Sequence, residues 1–323
     1  RGSLSHDIRA PNLSELFANG RGGAPYVDDP WQTDLNGGQT VNYGTTSQTV
    51  GNPLLKAEVS DSWGAGIVLQ PAFLPGFGAS VDYWDISIDN AIASAGGLQT
   101  IVDNCHQGQS EYCNLITFGE GGPGVGRITA VKLSTVNNAK AALRGVDAEV
   151  SYRFTPDFMP GDMSLRLLGT RFLENSTTSA TGVYTDTVGN NTGSTPKYRL
   201  TFSANWSHSD WRAGLTARGV SAGKYNKYWI ECSTDCPVST TRNTTISDND
   251  IKGAVWLDGS ISRDLRFSVI PRANVFLNVR NILNKDPVVV ASSGSFGDTT
   301  SPSNPSLYDV MGRVYSAGVR IEF

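Results

Sequence analysis

Apolar and polar residues alternate with a period of two along much of the chain. The last residues show this best, with one parity apolar (Tyr315, Ala317, Val319, Ile321, Phe323) and the other polar (Ser316, Gly318, Arg320, Glu322). The pattern recurs over 63–69, 145–154, 198–206 and 273–280. Because successive side chains of a strand point to opposite faces, each stretch predicts a β-strand with one apolar and one polar face.

The alternation changes phase once, in the stretch that follows residue 78. Ala79, Val81 and Tyr83 share one parity, whereas the apolar residues Trp84, Ile86 and Ile88 take the other. Two explanations fit this change. Either a β-bulge interrupts the strand, or the strand leaves an apolar environment at this point.

The connections between the predicted strands alternate in length. Short ones run over 71–76, 156–161 and 209–210, and long polar ones over 11–54, 95–126, 176–195, 223–250 and 285–311. This spacing predicts about ten strands in five hairpins, with all long loops at one end and all short turns at the other. Compact soluble domains rarely carry several long loops, whereas outer-membrane barrels do.

The apolar face has a different meaning in each candidate fold. In a soluble β-sandwich it is the core, and in a membrane barrel it meets lipid while the polar face lines the lumen. The loop rhythm favours the barrel, as do Arg153, Arg199 and Arg320 on the polar parity. Aromatic residues near strand ends also favour it: Trp63, Tyr152, Phe154, Trp206, Trp211 and Phe323. We therefore predict an all-β fold, part of a transmembrane antiparallel β-barrel, with a soluble β-rich binding protein as an alternative.

Composition narrows the class further. The 323 residues include only 17% charged residues, and the net charge of −4 argues against non-specific binding to nucleic acid. No apolar run approaches the length of a transmembrane helix. Arg1 opens directly into a strand pattern, so we expect 1–323 to be part of a longer protein.

The four cysteines form two close pairs in polar segments, Cys105 with Cys113 and Cys232 with Cys236. Local pairs of this kind suit disulfides in an oxidising compartment. A zinc site is the rival interpretation, but the spacings do not match common ligand patterns. In the segment 98–116, which has short helical character, a disulfide would either stabilise the loop or shape a ligand contact.

Residues with catalytic potential are scattered. His6, His106 and His208 belong to no nucleophile or metal motif, and the glycine-rich stretch 119–126 lacks the ending of a phosphate loop. We predict no enzyme activity, cofactor or metal. Three aromatic residues of one loop, Tyr225, Tyr228 and Trp229, are candidates for stacking on a ligand or for anchoring at a membrane interface.

Six segments in order resemble the TonB-dependent receptors. They are Ile8-Arg-Ala-Pro-Asn-Leu-Ser-Glu-Leu-Phe17, Gly51-Asn-Pro-Leu-Leu-Lys-Ala-Glu58, Ser80-Val-Asp-Tyr-Trp-Asp-Ile86, Arg144-Gly-Val-Asp-Ala-Glu149, Val279-Arg-Asn-Ile-Leu-Asn-Lys-Asp-Pro287, and the strand that ends at Phe323. Ala57 stands where the family usually has proline, and Asp147 where glutamate is commoner.

The resemblance implies the C-terminal part of a barrel of about 22 strands with a plugged lumen. It further implies active import of a bulky nutrient, a ferric siderophore or an oligosaccharide, across the bacterial outer membrane. The expected partners are the TonB complex, contacted through a plug and N-terminal box outside this chain, the barrel-assembly machinery reading Phe323, membrane lipid and the nutrient. A passive porin or autotransporter barrel is the alternative. Because earlier strands are missing, we expect an open sheet with free edges at 1–8 and 314–323.

Overall fold

A computed structural model describes residues 1–178, 183–239, 244–266, 272–290 and 302–322. Ten antiparallel strands of the described residues follow one path through the main sheet: β1 (Gly2–Arg9), β6 (Glu58–Leu69), β7 (Phe77–Ser94), β10 (Thr135–Phe154), β11 (Asp162–Thr178), β13 (Tyr198–His208), β14 (Trp211–Val220), β19 (Ala254–Leu265), β20 (Arg272–Arg280) and β21 (Val314–Glu322). A short eleventh strand, β12 (Tyr184–Asp186), lies off this path and pairs with β11.

The remaining elements lie in the long connections. The helices are α1 (Leu13–Phe17), α2 (Pro30–Leu35), α3 (Leu98–His106) and α4 (Ser110–Cys113). The short strands are β2 (Arg21–Gly23), β3 (Tyr26–Asp28), β4 (Asn42–Gly44), β5 (Thr46–Thr49), β8 (Ile116–Phe118), β9 (Ile128–Leu133), β12 (Tyr184–Asp186), β15 (Gly223–Lys224), β16 (Ile230–Glu231), β17 (Thr245–Ile246) and β18 (Asp250–Ile251). None of the described helices is long and apolar enough to cross a membrane.

The main sheet is an up-and-down meander in which each strand pairs with the next one along the path. The connections 10–57, 95–134, 179–197, 221–253 and 281–313 alternate with 70–76, 155–161, 209–210 and 266–271. Since neighbouring strands are antiparallel, all long connections leave one end of the sheet, called here the loop end, and all short ones leave the turn end. The predicted topology of about ten strands is confirmed.

The sheet is open within the described residues. β1 pairs with β6 alone and β21 with β20 alone, so these two strands form its edges. No ladder joins β1 to β21, which agrees with a partial barrel rather than a small closed one.

Paired residues share a face of the sheet, so the register traces one apolar face across all ten strands. One row across neighbouring strands consists of Val81, Ala148, Gly169, Leu200 and Gly219. Large apolar side chains of this face remain exposed, among them Ile67 (67%), Phe202 (39%) and Val319 (60%). A sandwich would cover this face with a second sheet. Its exposure therefore excludes the sandwich fold for this sheet.

The phase change after Tyr83 is not a bulge. β7 keeps an unbroken register with β6 over Val59 to Leu69 and with β10 over Phe77 to Ile88. The shift at Arg144/Gly145 is level with Trp84 but lies between β10 and β11, and the other shifts of β10 lie at 136–141. β7 instead continues past the apolar band, because Asp85 on the apolar parity binds Arg144 at 2.8 Å. Trp84 accordingly lies on the polar face, where its ring occupies the space that a side chain at Gly145 would need.

Candidate functional site

The first two long connections fold together into one unit at the loop end, called here module A (10–57 and 95–134). Its four-stranded sheet, in the order β2-β5-β9-β8, joins the two connections. A core of fully buried side chains lies within it, including Val27, Ile101, Val102 and Val131. Burying these apolar groups stabilises each loop against the other. Module A is therefore an ordered surface rather than two independent loops.

Helices α3 and α4 are joined by the disulfide Cys105–Cys113, called here the inner disulfide, with an S–S distance of 2.05 Å. Cys105 is 4% exposed and belongs to the module A core. The predicted pairing and the predicted helical character are both confirmed. Cys105 is packed inside the module and Cys113 is partly buried against its core, which favours loop stabilisation over ligand contact, and the role of the bridge stays a prediction.

A buried carboxylate ties the two halves of module A. Asp29 is fully buried, accepts the hydroxyl of Tyr43 and caps α2 through Gln32 N at 3.1 Å. The same Tyr43 oxygen accepts Ile128 N of the second connection at 2.7 Å. Burial, together with the acceptor Asp29, raises the pKa of Tyr43 to about 12. The phenol is therefore neutral and acts as a structural bridge.

The described parts of the last three long connections form a second unit, called here module B (183–197, 221–239, 244–253, 281–290 and 302–313). Its core contains Ile251, Trp256, Leu307 and Tyr308, all under 8% exposed. Since Trp256 belongs to the polar parity of β19, this core lies on the polar face of the main sheet. Module B therefore covers part of that face at the loop end.

Hydrogen bonds between distant residues fasten module B. Asn191 Nδ2 donates to Tyr308 Oη at 2.8 Å, and Asn304 Nδ2 donates to the carbonyls of Asn191 and Gly193 at 2.9 and 2.7 Å. The third connection is thereby bound to the fifth. The segment 302–313, called here the last loop, is held down on its neighbours.

The three loop aromatics predicted as ligand contacts lie in module B but do different things. Tyr225 packs against the module core. Tyr228 is 52% exposed, accepts Asp186 N at 2.8 Å and lies under Lys227, whose Nζ is 5.6 Å from the ring centroid. Trp229 is half-buried. A common ligand-stacking role for the three stays a prediction.

The second cysteine pair is also bonded, and we call Cys232–Cys236 the outer disulfide. Its sulfurs lie in an exposed part of module B. Nearby, Glu231, Asp248 and Asp250 form an exposed acidic group. Lys224 Nζ reaches Glu231 and Asp250 at 3.0 and 2.9 Å, so a lysine already neutralises this group. Phe323, the predicted assembly signal, lies outside the described residues.

The polar face carries paired charges along its length. Arg166 binds Glu149 at 2.7 Å, and Arg1 pairs with Asp82. Toward the turn end, a cavity of about 780 Å3 is lined by small and polar side chains such as Asn205, Gly214 and Ser260.

A cluster of four charged side chains lies on the polar face where the last loop meets it. Asp309 Oδ2 accepts both Arg280 Nε at 2.8 Å and Arg218 Nη2 at 3.1 Å. Arg218 also grips Asp258 through two hydrogen bonds of 2.6 and 3.1 Å. Burial raises the pKa of the Asp309 carboxyl, but the hydrogen bonds from Arg218 and Met311 N and the charge of Arg280 outweigh it, leaving the pKa below its usual value.

Reasoning from sequence missed this cluster. The alternation of apolar and polar residues in β13, β14 and β20 assigns Arg199, Arg218 and Arg280 to the polar face. Asp309, however, sits in a long loop without period, 91 residues from Arg218. No local sequence pattern predicts a contact between residues so far apart along the chain.

The fold is that of part of an antiparallel β-barrel, and comparison with known proteins identifies the family. The family model for the TonB-dependent receptor-like β-barrel matches residues 1–282. The chain belongs to this family. No curated protein matches it.

Solved structures share the fold at low sequence identity. The ferric enterobactin receptor of Pseudomonas aeruginosa (mutant G324V) is 15% identical, with a TM-score of 0.59 over 99% of this chain and 38% of that one. The siderophore receptor PirA of Acinetobacter baumannii is 15% identical, with a TM-score of 0.60 over 100% and 38%. The copper transporter OprC is 13% identical, with a TM-score of 0.51 over 100% and 36%. The chain thus spans under two fifths of the length of these proteins.

Proposed function

We propose that this chain is part of the barrel of an outer-membrane receptor that imports a bulky nutrient, a ferric siderophore in the first instance, with energy from TonB. The observation that carries the proposal is the family match over most of the chain. The two-faced sheet supports it independently, since a lipid-facing exterior and a polar lumen wall are what an importer's barrel requires.

Aromatic residues of the apolar face support placement in a membrane. Near the loop end this face carries Trp63, Tyr83, Tyr198 and Tyr315, and near the turn end Phe77, Tyr152, Phe154, Trp206 and Trp211. Aliphatic side chains fill the space between the two groups. Two aromatic girdles around an apolar band mark the two interfaces of a bilayer.

The register gives a strand tilt that suits a bilayer. A row of paired residues begins at Phe77 in the turn-end girdle and passes through Tyr152 and Leu165 to reach Tyr315 in the loop-end girdle. This row crosses seven strand-to-strand spacings of about 4.8 Å each, so it is about 34 Å long. Climbing an apolar band of about 25 Å over that length requires a tilt of about 45°, within the range for membrane barrels.

The polar face would then line the lumen, and modules A and B would form the outer mouth where a ligand first binds. Partners follow from this arrangement: TonB acting through a plug outside this chain, lipid on the apolar face, and the barrel-assembly machinery at the C-terminal strand. Two of the structural relatives are named for siderophore receptors, which favours a ferric siderophore over an oligosaccharide.

Uptake by cells tests the substrate. Strains with and without the gene are starved of iron and supplied with single radiolabelled ferric siderophores, and oligosaccharides are tested separately as carbon sources. We expect one ferric siderophore to accumulate only in the strain that carries the gene. Gene-dependent uptake of an oligosaccharide alone would indicate a carbohydrate substrate instead of a siderophore. If uptake of none of the compounds depended on the gene, the proposal would be contradicted.

A further inference from the structure

Three arginines of the polar face surround the last loop. Arg199 in β13, Arg218 in β14 and Arg280 in β20 line one cavity of about 300 Å3 at the loop end, together with Trp256 and Asp309. Guanidinium groups clustered on a lumenal wall are suited to binding carboxylate or phosphate oxygens.

A carboxylate of the protein itself already holds two of these arginines. Asp309 accepts from Arg218 and Arg280 through one oxygen, and its side chain is 1% exposed. The Arg280 side chain is 54% exposed and that of Arg218 is 31% exposed. The exposed parts of the two arginines can therefore be reached from solvent, while the Asp309 carboxylate lies beneath the loop.

The cluster offers more donors than the loop satisfies. Arg199 Nη2 donates to the carbonyls of Ser194 at 2.9 Å and Ser306 of the last loop at 3.5 Å, and no carboxylate of the described residues pairs with it. The indole N–H of Trp256 is buried and has no acceptor within the described part of the chain. A buried donor without an acceptor costs free energy, so an incoming group rich in acceptors would gain by meeting it.

We propose that Arg199, Arg218 and Arg280 form a binding site for a ligand carboxylate, and that Asp309 is its internal competitor. A ligand carboxylate takes the place of Asp309 on Arg218 and Arg280, with Arg199 as a further donor. This inference rests on the proposed function, since it names the chemistry of the ligand and how the mouth admits it.

Displacing Asp309 has a mechanical consequence. The last loop is tied down by Asp309, by Tyr308 on Asn191 and by Asn304 on Gly193. When ligand replaces the pairing of Asp309 with the two arginines, the loop loses its contact between opposite charges. It keeps its hydrogen bonds, including one of 3.5 Å from Arg199 Nη2 to the carbonyl of Ser306, and the packing of Leu307 and Tyr308. Ligand binding and lifting of the last loop are therefore coupled, as in any exchange between an internal and an external ligand.

Calorimetry with citrate as the probe tests the site in the purified, intact gene product. Asp309→Ala removes the carboxylate that occupies Arg218 and Arg280, so this variant should bind citrate at least about tenfold more tightly than the parent. Adding Arg280→Gln should abolish the gain. Asp250→Ala removes another cation-bound loop carboxylate and should gain nothing. Equal citrate affinity in Asp309→Ala and the parent would overturn the proposal.

Thiol labelling provides a measurement that does not depend on the Asp309 variant. All four cysteines of this chain are bonded, so Leu307→Cys introduces the chain's one free thiol, beneath the last loop, and labelling of the parent protein is the control. Citrate should accelerate its reaction with maleimide to a plateau, whereas chloride at equal ionic strength should not. Labelling that citrate leaves unchanged would refute the coupling.

Neither measurement involves uptake. A receptor that imports a siderophore but shows no citrate effect would refute the site and leave the proposed function standing. Citrate binding in a protein that imports none of the compounds would support the site and contradict the proposed function.

Discussion

Placing an arginine on each face of one strand tests which face meets lipid. Phe202 lies midway along β13 between Tyr198 and Trp206, on the exposed apolar face. An arginine facing lipid at the bilayer midplane costs about 2–4 kcal/mol. Phe202→Arg should therefore lower the folding equilibrium constant in vesicles by at least about thirtyfold.

The adjacent residue is the matched control. Ser203 points to the polar face, with its hydroxyl 3.4 Å from that of Thr216. Ser203→Arg should cost less than about 1 kcal/mol, because its charge enters an aqueous lumen. Unfolding of the intact gene product by denaturant in phospholipid vesicles, followed by heat modifiability on gels, measures both variants. Equal losses in the two variants, or a larger loss in Ser203→Arg, would refute the assignment of the faces.

Three further predictions concern the loops. Replacing both cysteines of the inner disulfide by alanine should cost module A about 2.5 kcal/mol from the entropy of an eight-residue separation; hydrogen exchange measures this, and the same change at the outer disulfide should leave module A unaffected. Tyr43 has a raised pKa of about 12, so its contribution is complete below about pH 10 and disappears as the pH rises to about 12; module A should loosen in that window in circular dichroism, and constant spectra through it would contradict this. Asp309 has a lowered pKa, so its contribution is complete above about pH 4 and falls as acid protonates it; exchange in the last loop, corrected for intrinsic rates, should rise only below that pH.

The strands were predictable because their signal is local. Alternation over Tyr198 to Trp206 assigns every side chain of β13 to a face without reference to the rest of the chain. The rhythm of connection lengths adds the antiparallel order, and the two disulfides follow from cysteines close in sequence. These features each depend on residues near one another along the chain.

The phase change at Tyr83 shows where the local pattern leaves two explanations open. A shift of parity in sequence is the same whether the strand bulges or crosses out of the apolar band. The register decides between them, since β7 is regular there and Asp85 binds Arg144 beyond the girdle. The environment, rather than the backbone, changes along the strand.

The folds of modules A and B were not predictable, for a different reason. Tyr308 bonds Asn191 across 117 residues, and Asn52 reaches the carbonyl of Thr135 across 83. Such contacts join polar loops that have no period, and their side chains resemble those of any solvated turn. The candidate aromatics illustrate this, because proximity in sequence did not reveal that Tyr225 packs into a core.

Uptake of the identified ligand with and without TonB tests the central claim most directly. Radiolabelled ligand is supplied to cells that carry the intact gene in a strain with functional TonB and in its TonB deletion. Surface binding is measured at low temperature in both. We predict equal binding in the two strains and accumulation only where TonB is present. Equal accumulation in both strains would mean passive permeation, as through a porin, and would contradict energy-dependent import.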